Sequence, residues 1–565
     1  MTAFPYLYDG ISGYYPDLAY HLLRVEGVKD ALQAHSWPAA VYDNFFGDYG
    51  YGSPLFYPDI FLVPAAILRM TGLGPAAVWK MYSMAVCLLV TASTFFSMRW
   101  TVRIAARGKD EEDSFGGTDL IASCGTLLLV LSQFYLADLQ VRVGISEYLA
   151  FAFLPLLCAG IYAFFAGEGG ETQGKGSALI GAGLSGLLLT HTISFLIGFL
   201  LTAAVFLISL LFKDGRGAVR RGIKGILISA AVSIAGTAYY TFPMLEQMAS
   251  GTEFKYRTPW AMIGDMVQPL ETLFRTTGYF FNIAYVGIGL PVLLALFFGL
   301  SQGRGAKRGA LIFLAAGAAI LLSMTGIVPW RILEGTVLNM LQFTFRLYPA
   351  GLCAVCFGFV IAMASEEKER RVRILLMTGV LAVLFGVWQN VSAVARGMEG
   401  GVSGFHTDIT EESLKAENSF VGMGEWLPVS FNTEVSGYPY VYLLPEGEGA
   451  EPVYPQIEFI RQEKKVGGVF PVSGSEGTVN FIVPQVWYKG YAAKYERSGS
   501  GGGEWVRTQE SPWGQVMVSG EFPEDGTIAV VYRRTLLQKM SLVLSLLTAA
   551  GLILRFFHLI KRAGK

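Results

Sequence analysis

Charge is scarce in this chain. Of 565 residues only 15% are Asp, Glu, Lys or Arg, whereas 53% are hydrophobic and the mean hydropathy is +0.45. Soluble globular domains carry about 25% charged residues, so a soluble globular chain is excluded. Cysteine is scarce too. Cys87, Cys124, Cys158, Cys353 and Cys356 all fall inside apolar stretches, where none can staple a domain outside a membrane. Cys353 and Cys356 have a CxxC spacing with no His and no second pair beside them, which reads as a buried, inert pair rather than a metal or redox site. There is no Walker loop, no HExxH, no GxSxG and no Cys/His cluster at zinc spacing. ATP-driven transport and soluble-type hydrolase chemistry lose weight accordingly. The net charge is −1, and nucleic acid is not an expected partner. No secretory signal opens the chain.

What the chain has in abundance is apolar stretches long enough to cross a bilayer. They predict spans at about 77–98, 119–136, 147–166, 177–191, 193–212, 225–242, 283–301, 309–327, 346–364, 373–390 and 537–559. Residues 55–71 are apolar but interrupted by Pro58, Asp59 and Pro64, and read as an interfacial helix. The positive-inside rule tests this list. Arg99, Arg103, Arg107 and Lys109, then Lys213 to Lys224, Arg304 to Arg308, Lys368 to Arg373 and Lys561 to Lys565 fall on one side, the cytoplasm. Residues 1–76 then lie outside, which leads to the expectation that a first transmembrane helix belongs upstream of Met1. Residues 391–536 are the one large polar region. Runs such as GTVNFIVPQVWY and GTIAVVYRR predict strands, with SGSGGG at 498–503 as a flexible loop. Four segments result: an extracytoplasmic loop with juxtamembrane helices (1–76), a transmembrane helical domain (77–390), an extracytoplasmic β-rich domain (391–536) and a final span with a short cytoplasmic tail (537–565).

The stretch PDLAYHLLRVEG (16–27) gathers the chemistry. Asp17, His21 and Arg24 stand at i, i+4 and i+7, one face of a helix, with Leu18, Leu22 and Val25 as anchors. The same residues also suit an amphipathic interfacial helix. Further polar and ionisable groups sit at outer ends of spans: Asp138, Arg142 and Glu147 in ADLQVRVGISEY, His191 in LLLTHTISF, Gln342 and Arg346 in MLQFTFRLYP, and Glu246. Such groups count as functional candidates by default. Each has a plainer account: an Arg142–Glu147 ion pair, a hydrogen-bonded helix end at His191, an Arg346 snorkelling to headgroups.

Outside a bacterial cytoplasmic membrane no nucleotide-sugar supply exists, so a transferase there takes its activated group from a lipid. A polyprenyl-phosphate sugar requires a carboxylate to deprotonate the acceptor hydroxyl and cations to hold the departing phosphate. Asp17 suits the first role. Arg142 and Arg346, with Arg24, His21 or His191, suit the second.

PDLAYHLLRVEGVKDAL followed by GDYGYGSPLFYPDIFLVPAAIL, then ADLQVRVGISEYLAFAFLPL, LQFTFRLYP, GEWLP at 424–428 and WYKGY at 487–491 together resemble the bacterial YfhO-type, GT-C-like membrane proteins. Some of these carry the label pyruvoyl-tetrahydropterin synthase-related membrane proteins. The resemblance implies an α-helical polytopic membrane protein of about eleven spans, its first span missing here, with an extracytoplasmic β-rich domain. It implies a plasma-membrane glycosyltransferase, sometimes assisted by a divalent cation such as Mg or Mn. Asp17 is then the base, flanked by His21 and Arg24. Arg142, Glu147, His191, Gln342 and Arg346 bind a lipid-linked sugar donor. The partners are membrane lipids and a cell-envelope glycan, lipid or protein acceptor. Apart from the resemblance, the aromatic faces of Trp487, Tyr488 and Trp505 in the β-rich domain suit an acceptor sugar, while each of them reads more simply as a structural core aromatic. QFTFR replaces the QFPWR of relatives, with Phe345 in the Trp position. The alternatives are a lipid-linked glycan transporter or flippase, and a non-catalytic envelope assembly factor.

Overall fold

The computed structural model describes residues 16–107, 114–167, 170–257, 262–275, 286–301, 308–398, 424–432, 439–445, 453–461, 466–499 and 502–563, with isolated residues between 410 and 414. The chain is mostly helical, with a C-terminal β-barrel-like sheet. The helices are α1 (Pro16–Gln33), α2 (Ser53–Phe56), α3 (Val63–Met70), α4 (Pro75–Ala105), α5 (Ser114–Val130), α6 (Gln133–Ala137), α7 (Ile145–Ala150) and α8 (Leu154–Ala166). They continue as α9 (Gly170–Leu188), α10 (Thr192–Ser209), α11 (Lys213–Met248), α12 (Leu290–Leu300), α13 (Arg308–Ser323), α14 (Tyr348–Met363), α15 (Lys368–Met398) and α16 (Leu536–Ala563).

Among the described residues seven helical segments are long and apolar enough to cross a membrane: α4, Ile145–Ala166, α10, α11, Thr344–Met363, Lys368–Ser392 and Leu536–Arg555. An eighth arises if α5 and α6, bent by 52°, count as one. The eleven stretches expected from hydropathy therefore do not all become long apolar helices. α12 has 11 residues and α13 has 16, short for a hydrocarbon core of about 30 Å. Part of the stretch expected at 283–301 lies outside the described residues. α9 starts at Gly170, among the polar residues Glu171, Gln173 and Lys175, so its apolar share is diluted. The interfacial helix expected at 55–71 is broken into α2, a 3-10 turn (Ile60–Leu62) and α3. Pro54 and Pro64 occupy first-turn positions in α2 and α3, where a missing N–H costs nothing, and Pro58 falls in the break. All five cysteines are free, and the nearest thiol partner of Cys353 is Cys158, 3.7 Å away on α8, rather than Cys356.

The chain forms two compact units, each built from separated segments. The first comprises the described residues of 79–234 and 260–408; the second comprises those of 16–78, 235–259 and 409–565. In the first unit glycines let helix backbones approach closely. A Cβ on Gly176 would stand 2.7 Å from the Phe164 nitrogen, and one on Gly160 would stand 2.8 Å from the Ile180 nitrogen, so α8 and α9 touch through glycine, as membrane helices commonly do. Gly174, two residues earlier and so on the far side of the helix, has nothing within 4 Å of the corresponding point. Gly176→Ala is accordingly expected to cost about 1–3 kcal/mol by overpacking. Gly174→Ala is expected to be neutral or stabilising by up to about 1 kcal/mol. Thermal unfolding of the two variants in detergent reads the contrast, and equal midpoints would refute it.

In the second unit nine antiparallel strands form one sheet in the order β2-β1-β5-β8-β7-β6-β9-β4-β3. They are β1 (Tyr440–Leu444), β2 (Val453–Glu458), β3 (Ile460–Arg461), β4 (Gly467–Val472), β5 (Thr478–Val486), β6 (Tyr491–Arg497), β7 (Gly503–Glu510), β8 (Gln515–Glu521) and β9 (Gly526–Tyr532). The edge strands β2 and β3 are separated by Phe459 alone, so the sheet must curl until its edges meet, which gives the barrel-like form. Its core is an aromatic line, Phe470–Phe481–Phe522–Tyr495, with ring centroids 5.2–5.4 Å apart. Part of the loop expected at 498–503 lies outside the described residues.

The segment between α1 and α3 packs on this sheet. The Val486 amide donates to Tyr49 O (2.8 Å) and the Tyr488 hydroxyl to Trp426 O (3.0 Å). Phe56 stacks on Trp426 with centroids 5.0 Å apart and planes 3° from parallel. Gly52 is required here, because a Cβ would stand 2.5 Å from the Tyr488 ring. Arg534 Nη2 donates to the carbonyls of Ser36 (2.8 Å) and Pro38 (2.7 Å), tying the foot of α16 to the same segment.

Candidate functional site

Apart from Glu246, the ionisable residues singled out from the sequence fall into two groups, one in each unit. In the second unit α1 carries Asp17, His21 and Arg24. The helix is buried on most sides: Leu22, Val25 and Val28 are core residues, and Gly27 lies against the Tyr42 ring. Asp17 is half-buried in the first turn, where a negative charge meets the positive end of the helix dipole. His21 is buried, with Nδ1 3.4 Å from Arg24 Nη1. Arg24 is fully buried. Its Nη2 donates to Pro58 O (2.5 Å) and Tyr57 O (3.3 Å), and its guanidinium lies 4.3 Å from the Tyr57 ring centroid. Arg24 thus satisfies the carbonyls of the turn after α2 and locks α1 to it. The Tyr20 hydroxyl and Ser53 Oγ are 2.7 Å apart. Burial pushes the Tyr20 phenol up; Arg24 opposes this, and the charges of Glu425 and Asp17 add to the rise.

Sequence reasoning missed other acids of this unit. Asp59 accepts from the Tyr42 hydroxyl (2.7 Å), and burial raises its carboxyl against that bond and Arg24. Asp43 is held up to about 7 by burial, against the pull of Arg461. The only signal for either was an acid inside an aromatic stretch. A cavity of about 30 Å³, enough for one or two waters, is lined by Asp59, Tyr239, Pro243, Arg534, Gln538 and Leu542 among others. Glu246 accepts from Thr535 Oγ1 (2.8 Å) and Gln538 Nε2 (3.0 Å), which makes it a tie between α11 and α16. Tyr488 is a core residue; Trp505 is exposed, with Arg533 over its ring at 4.2 Å.

In the first unit Glu147 is buried in the first turn of α7. Arg142, at the end of the single π-turn Asp138–Arg142, donates directly to its Oε2 through Nη1 and lies 3.4 Å from Asp138 Oδ1. His191 Nε2 is 3.9 Å from that same Oε2, and so is Arg346 Nε. His191 is the N-cap residue of α10, with Nδ1 2.8 Å from Ser194 Oγ. Arg346 lies in the turn Thr344–Leu347 that leads into α14, its Nη1 donating to Leu341 O (2.9 Å) and Gln342 Oε1 (3.0 Å). Phe345 backs Arg142, and Phe343 backs Arg346. The bends that aim both arginines are left-handed at non-glycine residues: Val143 and Gln342 each have φ 58°. For a β-branched Val this is a strained conformation, of the kind that functional sites retain.

Two guanidiniums, two carboxylates and an imidazole are therefore gathered where apolar helices begin. Such a cluster can hold an oxyanion, or it can relay charge. Among the described residues no three His, Cys, Asp or Glu side chains converge as metal ligands. No family model, curated protein or solved structure matches the chain.

Proposed function

We propose that the chain is a multi-pass plasma-membrane glycosyltransferase of GT-C type. It moves a sugar from a polyprenyl-phosphate donor to a cell-envelope glycan, lipid or protein on the outer side. The observation that carries this is the convergence of Arg142, Arg346 and His191 on one buried carboxylate oxygen. A phosphate leaving group needs such donors, preorganised and shielded from water. Asp17 takes the acceptor proton, with His21 and Arg24 fixing the helix that carries it. Gln342 orients Arg346. A divalent cation, Mg or Mn, belongs to what the family resemblance implies.

The test is a turnover assay of the purified chain in lipid, with radiolabelled polyprenyl-phosphate sugars and cell-envelope extract as acceptor. Label transferred from the lipid donors, and not from nucleotide sugars, is the expected result. The second reading, a lipid-linked glycan transporter, is favoured by one feature. Asp138, Arg142, Glu147, His191 and Arg346 make a continuous charged network, buried except at the half-buried Arg142, as proton-coupled carriers use. Glycan crossing into vesicles without any sugar transfer would establish that reading and remove the first.

A further inference from the structure

We infer that Glu147 is an internal stand-in for an oxygen of the ligand, and that a phosphate ester binds the first unit by displacing its carboxylate. The inference rests on the reading of this cluster as a phosphate site. One atom, Oε2, is the focus of nitrogens from three separate segments: Arg142 Nη1, His191 Nε2 and Arg346 Nε. Only Arg142 reaches it as a hydrogen bond. The other two stop at 3.9 Å, beyond the 2.7–3.2 Å of a formed bond. A carboxylate is too small to meet all three. A tetrahedral phosphate, with several oxygens spread around one centre, closes those gaps.

Charge explains why the place is filled. A buried guanidinium (Arg346) and a half-buried one (Arg142) beside an imidazole, with no anion among them, would be costly to fold. Asp138 offsets Arg142 at 3.4 Å, and Glu147 completes the balance. A phosphate entering while Glu147 stays would put like charges in contact, so ligand and carboxylate compete for one position. Glu147 thereby sets the affinity of the site: it holds the arginines in their aim when the site is empty and must be expelled when it fills. The side chains aiming the arginines do not depend on Glu147 alone, because Arg346 is also held by Leu341 O and Gln342 Oε1 and His191 by Ser194.

The experiment uses two probes with the full chain in detergent: inorganic phosphate and a short isoprenyl phosphate. Glu147→Gln keeps the shape and removes the charge. Titration calorimetry is expected to show the variant binding the probes at least tenfold more tightly than the wild type, with isoprenyl phosphate ahead of inorganic phosphate if a lipid is the source. Equal or weaker binding by a folded Glu147→Gln variant overturns the inference. It would leave the phosphate site itself standing, with Glu147 as its scaffold. Should the variant fail to fold, the wild type carries the test: carbodiimide labelling of the Glu147 carboxyl, read by mass spectrometry, must rise when isoprenyl phosphate is bound. Unchanged labelling at saturation overturns the inference. Binding of neither probe by wild type and variant overturns the phosphate reading itself.

Discussion

Asp17→Asn is expected to lower sugar transfer by about 10²–10⁴-fold, the usual contribution of a positioned general base, with the donor KM nearly unchanged. The substitution is close to isosteric. Asp17 is half-buried in the first turn of α1, and losing its interaction with the helix dipole costs at most about 1 kcal/mol. The surrounding structure is fixed by Arg24 on the Tyr57 and Pro58 carbonyls and by Glu26, which pairs with Arg69 on α3. A loss confined to kcat, in a variant that melts with the wild type, would mark Asp17 as acting in the chemical step. A variant that transfers at the wild-type rate would remove Asp17 as the base and move attention to Glu425, whose charge also reaches Tyr20. A matched loss of stability and activity would make Asp17 a structural residue.

The second large effect concerns pH. Asp43 has its carboxyl raised from 3.8 to about 7 by burial, with Asp48 and Asp30 adding to the rise and Arg461 opposing it. Its Oδ1 is buried with no hydrogen-bond partner among the described residues. The unfolded chain gives up this proton near pH 4, and the folded chain holds it until about 7. The group's contribution to stability is therefore fully present below pH 4 and is lost as the pH rises through 7. The full difference is roughly 4 kcal/mol. Asp43→Asn, which cannot ionise, is expected to raise the melting midpoint at pH 8 by several degrees and to flatten its decline between pH 5 and 8. Thermal unfolding of both proteins across that range decides it. Parallel pH profiles would show that Asp43 does not set the slope.

How much of this was legible in the sequence depends on range. The long apolar stretches and the alternating runs of residues 440–532 are local patterns, and they became helices and strands. Arg142 and Glu147, five residues apart, could be read as partners from the chain alone. His191 and Arg346 could not, because what brings them to Glu147 is the packing of α7, α10 and α14. The break-up of residues 55–71 was signalled by Pro58, yet its result was set by Phe56 meeting Trp426 and Tyr240, whose hydroxyl donates to Phe56 O at 2.6 Å. Asp43 drew no attention in the sequence, and Asp59 read only as an interruption of the stretch 55–71. Asp59 is buried and Asp43 half-buried with its Oδ1 enclosed, by partners that no local window contains: Gln485 Oε1 and Asp43 Oδ1 both lie within 3.7 Å of where a Cβ of Gly50 would stand.

The seating of Tyr488 over Gly52 also fixes an order of birth. At about 5–20 residues per second, residue 488 leaves the ribosome roughly 20 to 90 s after residue 52. During that interval the aromatic stretch from Tyr42 to Tyr57 has no sheet to lie on. A segment made long before the sheet is thus among the last to mature. Truncation anywhere before β9 should strand it as a sticky, protease-sensitive nascent segment, whatever the helices between have achieved.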